Sequence, residues 1–484
     1  MSWLSRIAAS LVCLFGMAVA SCATNPATGK KEITLMTEQQ ELELGREAAA
    51  EVERQMPAYQ DDRLQRYVSD IGMRLARASE RPRLPWQFTI VDASAVNAFA
   101  LPGGYVYITR GILPYLNDES ELAGVLGHEI GHVTARHSVR QYTKQSAAEL
   151  GLLTLGIFVP SAYPFTGLGS SALGVFFLKY SRDDEVEADR LGVGYAADQG
   201  WDPHGVANML TTLSRLDEAT DRRGIPNWLS THPQPEARVE RVSATVKSQT
   251  GTRQDWTTNR DDYLQRLDGM IFGDDPDDGI VRDNVFLHPS MRLSVEFPLD
   301  WPINNGKEQV VAKNPSADEY MVLQMIERVQ GRSLDEVADS QMSKMGWKPR
   351  SRGATKVNGL DAVLGVYEGS VSKLGSVTAR VLHVAIGRRV FLLAGIAKRD
   401  RFAEADRQFA PALQTVRELS AREASGLRPN VVGLYTTVAG DSWQSIASKQ
   451  SQIVRASTLA IINGHAVTDQ PAAGEHIKIV VGGQ

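Results

Sequence analysis

The stretch ELAGVLGHEIGHVTARH, residues 121–137, constrains this chain more than any other. Leu122, Val125, Leu126, Ile130 and Val133 recur at helical spacing and form an apolar stripe that must face a core. His128, Glu129 and His132 lie inside that pattern. Burying two imidazoles and a carboxylate is costly without partners, so whatever packs on this helix must supply them. His128 and His132 are one turn apart in height and about 40° apart in azimuth. Both rings can therefore reach one metal ion at a Zn–N distance of about 2.0–2.1 Å. Glu129, offset by one position, is placed to take a proton from water whose pKa zinc lowers to about 7.

A tetrahedral catalytic zinc needs a third protein ligand and one open position. His137 is nearest in sequence, but on a continuous helix it lies about 180° around from His128. It is expected to cap or pack locally. The better source is YSRDDEVEADRLG, residues 180–192, which holds Asp183, Asp184, Glu185, Glu187 and Asp189. On a helix Glu185 and Asp189 share a face, whereas Asp183 and Glu187 lie about 200° from Glu185. Glu185 is expected as the third ligand, with Asp189 as the acid one turn below it. Asp183, Asp184 and Glu187 read as a solvated surface. The tetrapeptide EADR occurs twice, at 187–190 and 404–407, yet only the first has an acid four residues before its aspartate. Spacing carries the signal.

At 484 residues, with 43% hydrophobic and 23% charged residues, the chain can build several packed cores. A net charge of −5 and the lack of any Lys/Arg block exclude a nucleic-acid partner. Cys13 and Cys22, the two cysteines, sit at the N-terminus. Arg6 precedes an apolar run from Ile7 to Ala20, the layout of a secretory signal and short for a membrane span. The run ends Val19-Ala20-Ser21-Cys22, which resembles the bacterial lipobox. That resemblance implies cleavage before Cys22, diacylglycerol on its thiol and, with Ala23 following, sorting to a Gram-negative outer membrane.

Composition divides the chain into a signal peptide (1–21), a helix-rich domain (22–255), an acidic turn-rich linker (256–285), an α+β domain (286–425) and a small terminal unit (430–484). Helical spacing marks 37–55 and 62–79; strand-like stretches mark 86–92 and 103–111. The apolar stretches 150–159 and 168–178 are too short to span a bilayer and read as core helix.

HEIGHVTARH followed by SRDDEVEADRLG resembles the zincin metallopeptidases that include HtpX, BepA and the CAAX prenyl protease. NAFALPGGYVYITRGIL (97–113) and STHPQPEARVERV (230–242) match the same pattern, so the resemblance covers about residues 25–245. The lipobox makes it most similar to the BepA-like periplasmic branch. The resemblance implies a helix-rich α+β zincin-type domain binding one Zn2+ through His128, His132 and Glu185, with Glu129 as general base. It implies that Asp189 orients a ligand, that Arg238 partners Asp189, and that His232 lies by the metal, serving the oxyanion or closing the open position. Gly103, Gly104, Tyr105 and Val106 would form the edge strand on which a peptide substrate aligns by β-augmentation. The tetratricopeptide repeats of the BepA type have no counterpart here. Residues 286–425 resemble a PsbP- or Mog-type α/β domain. Residues 435–481 resemble a LysM module, which implies a β-α-α-β fold and binding to peptidoglycan.

Together these features imply a multidomain zinc endopeptidase, lipid-anchored in the periplasm at the outer membrane and acting on misfolded or misassembled envelope proteins. The alternative is a non-proteolytic chaperone or peptidoglycan-tethering lipoprotein with a closed or structural metal site.

Overall fold

The computed structural model describes residues 21–34, 36–144, 180–219, 228–233, 235–250, 253, 255–327, 331, 333–371 and 374–482. The signal segment before residue 21 and the apolar stretches 150–159 and 168–178 lie outside them. No helix among the described residues is long and apolar enough to cross a membrane.

A short hairpin pairs Ser21–Thr24 with Lys31–Thr34, placing Cys22 opposite Ile33. Two amphipathic helices follow, each with a built N-terminus. Thr37 and Gln40 form a reciprocal capping box at the start of α1 (Glu38–Gln55). Asp61 accepts the N–H groups of Arg63 and Leu64 at the start of α2 (Asp62–Ala78). The second helix buries Leu64, Val68, Ile71 and Leu75, the face its spacing predicts.

A three-stranded sheet comes next, made of β1 (Gln87–Val91), β2 (Ala98–Leu101) and β3 (Tyr105–Thr109) in the order β1-β3-β2. This corrects one expectation. The strand opened by Tyr105 and Val106 is central, parallel to β1 on one side and antiparallel to β2 on the other. Both of its hydrogen-bonding edges are used, so it cannot add a substrate strand. Gly103 and Gly104 form the turn before it, at φ +81° and +100°, a backbone region that L side chains avoid. The outer position beside it is taken by Ala98–Leu101, a buried apolar run with no alternation to mark it as a strand.

The metal-motif helix α3 (Glu119–Thr134) starts at Asp118, whose side chain accepts the Glu121 N–H, and every one of its residues is buried. It crosses α4 (Arg182–Asp198) at very close range. A Cβ on Gly131 would stand 3.1 Å from Ala188 Cα, and one on Gly192 would stand 2.9 Å from the His128 nitrogen. Only small residues at the crossing allow this approach. Helices α5 (Gly205–Ala219) and α6 (Pro235–Thr250) pack beside the pair, with a single turn, Trp228–Thr231, between them.

The expected linker is also corrected. Within 256–285, helix α7 (Arg260–Leu267) buries Tyr263, Leu264 and Leu267 in the same core as α2 and α3. Ile271–Phe272 pairs with Asn430 and Val431 of the terminal unit. Residues 280–418 then build a seven-stranded and a four-stranded antiparallel sheet around their own cores. The terminal unit runs strand, helix, helix, strand over Asn430–Thr436, Trp443–Lys449, Ala456–Ile462 and His476–Gly482. It is docked on the first domain: the buried Lys478 ammonium donates to Leu116 O at 2.5 Å and to Asn117 Oδ1 at 3.1 Å.

Candidate metal centre

Helix α3 presents His128 and His132 one turn apart, with their Nε2 atoms 3.0 Å from each other. The close crossing brings Glu185 of α4 to meet them. Its Oε2 lies 3.7 Å from His128 Nε2, and its Oε1 lies 3.6 Å from His132 Nε2. His232, just past the turn at Trp228, completes the group with Nδ1 3.2 Å from His128 Nε2 and 3.0 Å from Glu185 Oε1. One donor atom from each of these four buried residues falls within 4.8 Å of the others. A tetrahedral ion with ligands at about 2.0–2.2 Å has donor–donor edges of about 3.3–3.6 Å. The observed separations of 3.0–3.7 Å bracket that figure, and the two-imidazole, one-carboxylate set matches a catalytic zinc centre.

Glu129 is wholly buried. Its Oε1 accepts the Trp228 Nε1–H at 3.3 Å and lies 3.6 Å from His232 Nε2. Its Oε2 has no hydrogen-bond partner among the described residues. A buried carboxylate oxygen left without a partner in the same cluster as an imidazole is free to accept a further hydrogen bond.

Asp189 stands behind His128, with Oδ1 3.0 Å from Nδ1. Arg238 of α6 grips the same carboxylate through Nε at 2.8 Å and Nη2 at 2.6 Å, and reaches Glu185 Oε2 through Nη1 at 2.6 Å. Burial opposes ionisation of Asp189, but the guanidinium outweighs it and holds the carboxyl well below its ordinary range. Burial likewise raises Glu185, and His232 and Arg238 together bring it below normal. Burial, then the neighbouring imidazoles and Arg238, push His132 well below the usual histidine range. A neutral His132 keeps its lone pair for a cation.

The structure departs from ideal-helix geometry at His137. Helix α3 stops at Thr134, and Arg136 takes φ +55°, so the chain turns back. His137 Nδ1 then lies 2.8 Å from His132 Nδ1. The solvated reading of the acids is corrected for two of three. Glu187 Oε2 lies 3.0 Å from His137 Nε2. Asp184 is buried, shares a capping box with Ser181 and accepts Arg140 Nη1–H at 2.5 Å. Asp183 alone is exposed.

Two aromatic residues went unnoticed in the sequence. Tyr180 stacks on His132 at 3.9 Å between centroids, and Trp228 stacks on His232 at 4.4 Å. Their only linear cues are position: Tyr180 directly precedes the N-cap of α4, and Trp228 lies four residues before His232.

Comparison with known families places this arrangement. The model of peptidase family M48 matches residues 62–246, which contain every group above. Residues 62–246 form a peptidase family M48 domain. Beyond the M48 match, the chain is 31% identical over 229 residues to the beta-barrel assembly-enhancing protease of Escherichia coli (strain K12), covering 45% of this chain and 46% of that protein. A putative beta-barrel assembly-enhancing protease of Vibrio cholerae is 33% identical over 223 residues, 44% of this chain and 46% of that one. The mitochondrial metalloendopeptidase OMA1 of Schizosaccharomyces pombe is 31% identical over 193 residues, 39% and 55% of the two chains. The chain thus spans about half the length of these relatives. Among solved structures, cyanobacterial PsbP (CyanoP) from Synechocystis aligns with 29% of this chain and 95% of its own at a TM-score of 0.24 and 12% identity.

Proposed function

We propose that this protein is a zinc-dependent endopeptidase of the bacterial cell envelope that hydrolyses misfolded or misassembled periplasmic and outer-membrane proteins. The observation that carries the reading is Glu129, a buried carboxylate with a free oxygen beside a His128–His132–Glu185 cluster inside an M48 domain. A purely structural metal site has no use for it. Those three residues would hold a zinc ion, which would supply Lewis acidity toward a scissile carbonyl and acidify water. Trp228 fixes Glu129 Oε1, leaving Oε2 to take a proton from an attacking water and return it to the leaving amine. Asp189 sets the tautomer of His128, and Arg238 keeps both Asp189 and the Glu185 carboxylate ionised. We take Ala98–Leu101, an outer strand of the three-stranded sheet, in place of Gly103–Val106 for aligning an extended substrate.

Envelope location and substrate class rest on the lipobox ending at Cys22 and on relatives named for β-barrel assembly. The terminal β-α-α-β unit suits attachment to peptidoglycan. A second reading is favoured by His232. Its Nδ1 fills the fourth corner of the cluster, the geometry of a closed or structural site in a chaperone or tethering lipoprotein. Casein cleavage and zinc content of wild type, Glu129→Gln and His232→Ala separate the two. The peptidase reading expects Glu129→Gln to keep its zinc and lose activity by at least about 100-fold. Equal cleavage by wild type and Glu129→Gln, or none from zinc-loaded wild type and His232→Ala alike, would sink it.

A further inference from the structure

Behind the metal cluster runs a second line of contacts that the mechanism above does not use. His132 Nδ1 lies 2.8 Å from His137 Nδ1, and His137 Nε2 lies 3.0 Å from Glu187 Oε2. A histidine that offers Nε2 to a metal carries its proton on Nδ1. His132 Nδ1 then donates and His137 Nδ1 accepts, which leaves the proton of His137 on Nε2, facing Glu187. One tautomer satisfies every contact in the line.

We propose that His137 and Glu187 are positioning residues for His132, fixing its tautomer and ring direction as Asp189 fixes those of His128. The two metal-motif histidines would then be supported unequally. His128 meets a carboxylate directly at 3.0 Å, whereas His132 reaches one through a second imidazole. Metal-binding histidines normally give their other N–H to a carboxylate, carbonyl or water, whereas among the described residues His132 Nδ1 meets the imidazole of His137. The surroundings are built for this task. His137 is fully buried, and the left-handed Arg136 turns the chain so that its ring faces back toward α3. The Tyr180 ring, 21° from coplanar with His132, blocks rotation of that imidazole. At the outer end Arg140 spans Asp184 at 2.5 Å, Glu187 at 3.6 Å and Glu32 of the N-terminal hairpin at 2.7 Å. Asp184 Oδ1 is a further acid near His137, 3.7 Å from Nε2.

The proposal rests on the metal-site reading, and its test separates the two. Zinc affinity of the full chain is measured by chelator competition, and the visible spectrum of the Co2+-loaded protein is recorded alongside. His137→Leu should bind zinc about 10–100-fold more weakly and shift the Co2+ bands. His137→Gln, which keeps an acceptor oxygen for the His132 Nδ1–H, should recover most of that loss. Glu187→Leu, at a partly exposed position that tolerates substitution, should weaken zinc about 10-fold even if His137→Leu misfolds. Zinc affinity within threefold of wild type in His137→Leu and Glu187→Leu overturns the proposal alone, as does equal weakening by Leu and Gln at 137. A wild type that takes up neither Zn2+ nor Co2+ overturns the metal-site reading and this proposal together.

Discussion

Removal of Arg238 tests the electrostatics of the centre most directly. Its buried guanidinium is shared by Asp189, at 2.8 and 2.6 Å, and Glu185, at 2.6 Å. Arg238→Ala leaves two carboxylates in a closed interior with one cation fewer. Breaking a buried pair from one side costs about 3–5 kcal/mol. The metal-free protein should pay the upper end, because a divalent ion on Glu185 replaces part of the lost charge. At about 2–4 °C per kcal/mol for a domain of this size, the metal-free melting temperature falls by about 10–20 °C. Thermal and urea unfolding of both proteins, with zinc and with EDTA, measure this. The pH dependence has a definite sign. Asp189 is depressed in the fold, so it contributes stability above its unfolded pKa of about 3.9, lost as pH falls through the folded value. Arg238→Ala lacks that contribution. The gap between the two proteins is therefore widest near neutral pH and closes as acid protonates the carboxylates. A metal-free destabilisation below about 1 kcal/mol at pH 7, or a gap that widens on acidification, would refute the reasoning.

The helix crossing makes a second prediction. Gly131→Val must push Ala188 and move α4, carrying Glu185 away from the histidines, so zinc affinity measured by chelator competition should drop more than about tenfold. Gly194→Ala on the same helix meets only Gln249 Oε1 at 3.8 Å and should bind zinc normally, with a gain in stability of about 0.5–1 kcal/mol. At the docked terminal unit, Lys478→Ala strips Leu116 O and Asn117 Oδ1 of a buried donor and should cost about 1–3 kcal/mol. Limited proteolysis would report it as faster cutting around residues 427–430, and an unchanged digestion pattern would count against Lys478 as the anchor.

What the sequence disclosed about this site, and what it hid, follows from the range over which each signal is local. His128 with His132 and Glu185 with Asp189 are separated by one helical turn, and helical period is a property of a few consecutive residues. His137 packs locally as expected, but Glu187 meets it and is not a solvated acid, because α3 ends before His137 and the chain turns back. No Gly or Pro marks that stop, and the left-handed residue is an arginine. Tyr105 and Val106 lie on the expected strand, after a turn at Gly103 and Gly104, but its place between two neighbours is a matter of sheet order, which no local pattern encodes. Between 256 and 285 the Asp, Pro and Gly residues of GDDPDDG outweighed Tyr263, Leu264 and Leu267, whose spacing did signal a buried helix. The centre also draws on elements far apart in the chain. α3 gives two donors, α4 the third and its acid, the turn at Trp228 sets His232, and α6 supplies the cation that neutralises both carboxylates. Glu185 without Arg238 is an unpaired buried charge, and His132 without α4 loses both Glu185 and the Glu187 end of its support. A fragment ending before residue 235 would thus hold all four candidate donors and still fail to form the centre, because the charge that makes their burial tolerable lies on the helix that follows.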